Sequence, residues 1–112
     1  MPAEGTWHLT IDTPLGKQQA RVLLAARPNG TWHGTAEDLR SGEQVPLTGI
    51  TVQGDAVTYQ QSITKPMRLH LSFRLTLEGD RLTGQAKAGR LPGSRVTGRR
   101  VTGPEAQSGL QP

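Results

Sequence analysis

A chain of 112 residues with a net charge of +4, 14 glycines and 33% apolar residues is sized for one domain, and its apolar runs are far too short to span a bilayer as a helix. The absence of cysteine excludes a disulfide framework and any thiolate metal centre. The positive charge fits plain solubility, whereas a nucleic-acid surface would want cations on one face with exposed aromatics to stack bases. Only four aromatics are present and they fall on the apolar side of their strands, so no nucleic-acid partner is expected.

In chain order, Met1-Pro2-Ala3-Glu4 has neither a charged leader nor an apolar core of a signal peptide. Residues 1–4 read as a flexible N-terminus, and a cytoplasmic location is the expectation. From there the apolar period is two, which is the period of strands with one dry face. A strand over 5–11 turns Trp7, Leu9 and Ile11 inward. A second over 18–26 turns in Ala20, Val22 and Leu24, and a third over 30–37 turns in Trp32, Gly34 and Ala36. The fourth, over 43–52, carries Val45 and Leu47 on one parity and Ile50 and Val52 on the other, so a bulge is predicted at Thr48-Gly49. The fifth, over 56–63, turns in Val57, Tyr59, Gln61 and Ile63. The sixth is the clearest: Met67, Leu69, Leu71, Phe73, Leu75 and Leu77 alternate with Arg68, His70, Ser72, Arg74 and Thr76. The seventh, over 81–88, turns in Leu82, Gly84, Ala86 and Ala88. The eighth, over 94–101, turns in either Val96, Gly98 and Arg100 or the opposite set, Arg95, Thr97, Arg99 and Val101. Residues 103–112 are rich in turn formers and read as a disordered tail.

The links between these strands alternate. Pro28-Asn29-Gly30, Gln53-Gly54-Asp55 and Glu78-Gly79-Asp80 are tight hairpin turns. The stretches at 13–16, 39–42, 64–66 and 90–93 are longer. In an antiparallel meander, alternate links fall at opposite ends, so one end is pinched and the other carries loops. The prediction is an all-β domain over 5–102, an eight-stranded antiparallel up-and-down β-barrel with a mouth at the long-loop end. Closure removes the sheet edges, which this sequence does little to protect. An eight-stranded barrel either fills with side chains or holds one small ligand. Inward Gly34, Gly84 and Gly98, with Ala20, Ala36, Ala86 and Ala88, predict an under-filled interior; the two tryptophans filling that space is the alternative.

The opening Gly5-Thr6-Trp7 and the meander after it resemble the calycin-type barrels: lipocalins, fatty-acid-binding proteins and avidins. The later lipocalin motifs and the avidin tryptophan belt are missing, and the chain is shorter than either family. Asp12-Thr13-Pro14-Leu15-Gly16 and Ser62-Ile63-Thr64-Lys65-Pro66-Met67 also resemble a group of small bacterial barrel domains. That likeness implies a fold and brings no functional residues with it.

No nucleophile elbow, phosphate loop or dinucleotide fingerprint is present. His8, His33 and His70 have outward parity on three non-neighbouring strands, so neither a metal site nor any cofactor is expected. Tyr59, Gln61 and Arg100 interrupt an apolar interior, and buried polar groups must pair with one another, with water or with a ligand. The candidate ligand-binding set is therefore Trp7, Leu24, Trp32, Leu71 and Phe73 as apolar wall, with Tyr59, Gln61 and Arg100 for a polar or acidic end. Lys17, Arg40, Lys65 and Arg90 put one cation on each long loop, which steers an anion inward or is simply solvated. Three functions follow: binding of a small hydrophobic or amphipathic, possibly anionic, ligand; a small-barrel isomerase, cyclase or lyase with Tyr59 as acid and Asp12 or Asp38 as base; or a packed barrel that serves as a protein-interaction or homo-oligomer module.

Overall fold

A computed structural model of the chain describes residues 3–13, 16–63, 68–89 and 92–101. The predicted tail at 103–112 and the cations Lys65 and Arg90 lie outside these residues, as do Met67 and the Pro14-Leu15 pair. Period-two sequence becomes nine strands: β1 (Gly5–Thr13), β2 (Gly16–Ala26), β3 (Trp32–Asp38), β4 (Gln44–Pro46), β5 (Thr48–Gln53), β6 (Ala56–Ile63), β7 (Leu69–Glu78), β8 (Arg81–Ala88) and β9 (Ser94–Val101). All pairs are antiparallel, in the order β4-β3-β2-β1-β9-β8-β7-β6-β5. The first and last strands pair with each other, and the sheet curls into a nearly closed up-and-down barrel.

Nine strands replace the expected eight because the fourth is divided. Its first half, β4, pairs with β3, and its second half, β5, pairs with β6. The two edges of the sheet are thus joined by one residue, Leu47, whose N–H donates to the Gly34 carbonyl of β3 at 2.9 Å. The register shifts between Thr48 and Thr51, where Gly49 takes φ +59°, a left-handed conformation that a side chain disfavours. This is the bulge that the phase change predicts. It swaps the chain's inward parity, so both Leu47 and the Ile50/Val52 pair reach the core cluster.

The inward parities follow the sequence on every strand. The eighth predicted segment resolves to its first alternative over most of its length: Val96 is buried, Gly98 lies under Leu9, and Arg100 sits over Trp7, while Arg95, Thr97 and Arg99 are exposed; Val101, of the opposite set, is buried at the strand's end. Outside, Thr76, Thr83, Thr97 and Thr10 line up across four neighbouring strands, a run of β-branched polar pairs suited to a wet sheet face.

The inward glycines do not leave the interior under-filled. A Cβ built on Gly84 would lie 1.9 Å from the Arg74 carbonyl oxygen, and one on Gly34 would lie 2.3 Å from that of Leu23. A Cβ on Gly98 would meet Leu9 Cδ2 at 2.3 Å. At the first two positions a neighbouring strand's backbone takes the space, and at the third a leucine does. These glycines permit close approach in a tightly coiled sheet.

Candidate functional site

The barrel has two unlike ends. At the tight-turn end the inward residues are large and dry: Trp7, Leu9, Val22, Leu24, Leu75, Leu77 and Leu82 are all buried. Ala3 and Glu4 cross this end. Ala3 is buried, and its carbonyl accepts a hydrogen bond from Trp7 Nε1 at 3.1 Å. Arg100 lies with its guanidinium carbon 4.4 Å from the Trp7 ring centroid. Its Nε donates to Asp80 Oδ1 at 2.7 Å, and another guanidinium nitrogen donates to the Glu4 carbonyl. The Ala26 N–H donates to Glu4 Oε2 at 3.3 Å, and that hydrogen bond holds the Glu4 carboxyl below its ordinary pKa. The tight-turn end is a sealed base.

Toward the long-loop end the inward rows of β1, β2, β6, β7 and β8 become half-exposed. Along β7 the sequence Leu77, Leu75, Phe73 is buried, and Leu71 and Leu69 are half-buried. Along β6, Val57, Tyr59 and Gln61 are buried, and Ile63 is half-buried. On β1 the change falls between Leu9 and Ile11, on β2 between Val22 and Ala20, and on β8 between Ala86 and Ala88. Side-chain size changes in the same direction. The inward positions toward the loops include Ala20, Ala86, Ala88 and Ser94 in place of the leucines and tryptophan of the base.

This axis divides the candidate residues. Trp7, Leu24, Trp32 and Arg100 belong to the base; Trp32 immediately follows a tight turn and is only half-buried. Arg100 is engaged there with Asp80, Trp7 and Glu4, so it is not brought to Tyr59 by any described contact. Tyr59, Gln61, Leu71 and Phe73 are brought together. Tyr59 is directly opposite Phe73, and Gln61 directly opposite Leu71, on β6 and β7. The Tyr59 and Phe73 rings stack, with centroids 4.7 Å apart and planes 13° from parallel. Phe73 faces Ala86, and Leu71 faces Ala88, so β8 offers only methyl groups in front of this quartet. Ile63, Leu69 and Ala88 complete the wall. They were absent from the candidate set, although their inward parity and closeness to the long links were visible in the sequence.

The Tyr59 hydroxyl is buried and, among the described residues, has no hydrogen-bond partner. Burial pushes its pKa far up, so the group is a neutral phenol. Neither proposed base accompanies it. Asp12 is exposed and paired with Lys17 at 3.7 Å, and Asp38 Oδ1 accepts the Arg40 N–H at 2.8 Å within its own turn. Of the loop cations, Lys17 is thus offset by Asp12, and Arg40 is exposed. On the outer wall His8 bonds Gln19 at 2.6 Å and His70 bonds Ser62 at 2.7 Å, both across strand pairs. A shallow polar groove of about 250 Å³ is lined by Gly49, by Thr58, Gln60, Ser72 and Arg74 on the outward parity of β6 and β7, and by Tyr59 and Phe73.

No family model, curated protein or solved structure matches this chain. Among the described residues no helix is long and apolar enough to cross a membrane.

Proposed function

We propose that the protein binds a small, predominantly hydrophobic molecule in the long-loop half of the barrel, in the manner of the calycin-type barrels that its opening Gly5-Thr6-Trp7 strand and closed meander resemble. The observation that carries this reading is the gradient along the barrel axis. On five strands, β1, β2, β6, β7 and β8, the inward row passes from buried toward the base to half-exposed toward the loops, so most of the half-exposed inward apolar surface lies at the loop end, with Trp32 and Val52 the half-buried exceptions at the base. A packed sphere with no ligand would bury its inward rows evenly at both ends. Apolar side chains at a concave mouth, beside a few polar groups, are the usual make-up of a small-molecule site.

The two bases that the enzyme reading names, Asp12 and Asp38, are engaged elsewhere, and the interaction-module reading gains only from the packed base. Methyl-detected NMR with an apolar probe such as ethylnaphthalene tests the proposal. Saturable shifts are expected at Ile63, Leu69, Leu71 and Ala88, with little change at Val22 and Leu24. A site this small supports roughly micromolar affinity, about 8 kcal/mol. Shifts confined to outward residues, or none at all, would overturn it.

A further inference from the structure

We infer that the ligand carries one uncharged oxygen acceptor, such as a ketone or ester carbonyl, and that this oxygen accepts the hydroxyl proton of Tyr59. The inference rests on the ligand reading above and names the chemistry of its polar end.

Three observations converge on it. The first is the orphaned hydroxyl. A buried donor with no partner is a standing cost in the free protein, and it is relieved when an acceptor arrives. The second is the place of that hydroxyl. Tyr59 is one inward position deeper than Gln61 and Leu71, flanked by the Phe73 ring, with Ala86 across from Phe73. An apolar body entering over Leu69 and Leu71 therefore meets the phenol at the bottom of its path. Gln61 is buried one inward position nearer the loops than Tyr59, and its unbranched side chain changes rotamer to admit the ligand.

The third is the distribution of charge. The only cation with inward parity among the described strands is Arg100, and it is held at the opposite end by Asp80, Trp7 and the Glu4 carbonyl. The remaining inward charge is Asp38, at the loop end of β3, whose carboxylate faces its own turn. A carboxylate brought to Tyr59 would lose its hydration and gain one hydrogen bond, with no counter-charge. A carbonyl loses far less on entry. The phenol stays protonated there, so it donates. The geometry thus selects a neutral acceptor over the acidic end that the basic loops suggest.

The test uses three probes of matched size on the full chain: acetylnaphthalene, ethylnaphthalene and naphthoate. In the native protein the ketone is expected to bind about 3–10-fold tighter than the hydrocarbon, the range of a net hydrogen bond. Naphthoate is expected to bind at least about tenfold weaker than the ketone, as an unpaired charge would. The infrared carbonyl band of bound acetylnaphthalene should move to lower frequency. In Tyr59→Phe the ketone and hydrocarbon affinities should converge and the band should return, while ethylnaphthalene binding stays unchanged.

Tightest binding by naphthoate would overturn the neutral-acceptor inference and leave the ligand reading standing. So would a ketone preference that survives Tyr59→Phe. A uniform loss of all three probes in Tyr59→Phe, with a lowered melting temperature, would assign the hydroxyl a structural role and also overturn the inference. Failure of every probe to bind the native protein would overturn the ligand reading itself, and this inference with it.

Discussion

The base and the mouth of this barrel are built from the same strands and solve opposite problems. At the base, Ala3 and Glu4 lie across the opening, Arg100 is clamped between Trp7 and Asp80, and Trp7 is the largest buried side chain described. Polar groups there have partners. At the mouth alanines such as Ala20 and Ala88 stand beside Ile63, Leu69 and Leu71, the rows are half-exposed, and the deepest polar group, the Tyr59 hydroxyl, has none among the described residues. Folding stability is therefore concentrated at one end, which frees the other from close packing. Functional sites commonly carry such local inconsistencies while the rest of the structure compensates.

The comparison predicts a steep asymmetry in mutational cost. Trp7→Ala removes the largest buried side chain and the platform under Arg100, and should destabilise by about 3–5 kcal/mol. Leu75→Ala should cost about 2–5 kcal/mol, and Leu71→Ala, half-buried four residues nearer the mouth, markedly less. Equal losses from Leu75→Ala and Leu71→Ala in chemical denaturation would erase the distinction between the ends. Gly84→Ala should cost about 1–3 kcal/mol or more, because the new methyl is driven into the Arg74 and Leu75 backbone. Ala88→Leu, by contrast, should leave stability within about 1 kcal/mol and abolish probe binding. Arg100→Ala should cost about 1–2 kcal/mol through the lost cation–π contact and hydrogen bonds. Asp80→Ala should cost under about 1 kcal/mol, since that carboxylate is largely exposed. A larger effect from Asp80 than from Arg100 would mean that the Trp7 contact does not anchor the clamp.

Much of this division was legible in the sequence, and the reason is local. Period-two alternation fixes which face each residue takes, so Tyr59, Gln61 and the row from Leu69 to Leu77 were placed inward correctly. The phase slip between Leu47 and Ile50 marked the bulge, and the alternation of short and long links marked the two ends. Height along the barrel was less visible. Arg100 was grouped with Tyr59 because both face inward, yet counting residues from the long link at 90–93 puts Arg100 near the far end of its strand. The role of Gly34, Gly84 and Gly98 could not be read at all. A missing side chain looks like space in a sequence, and only the approach of a neighbouring strand shows that the space is taken. Nor did anything local show that one predicted strand would pair with both edges of the sheet through its two halves.

A small expected effect is the most discriminating, because its sign separates the two ends. At the base, removing a polar group leaves its partner unsatisfied and should destabilise. At the mouth, Tyr59→Phe removes a hydroxyl that has no partner, keeps the ring stacked on Phe73, and relieves a buried orphan donor. The variant should be more stable than the parent by about 1 kcal/mol, with a melting temperature higher by a few degrees. The single tyrosine of the chain offers a second reading of the same group. Its folded pKa is raised above the unfolded value near 10, so the protonated phenol's contribution is complete below about pH 10 and lost as pH rises beyond it. Phenolate absorbance should therefore stay absent in the folded protein through pH 10 and appear only together with unfolding at higher pH. Tyr59→Phe should remove that part of the alkaline loss. A Tyr59→Phe variant less stable than its parent, or a phenol that ionises near pH 10 in the folded state, would show that the hydroxyl is already satisfied or solvated. The mouth would then be as settled as the base.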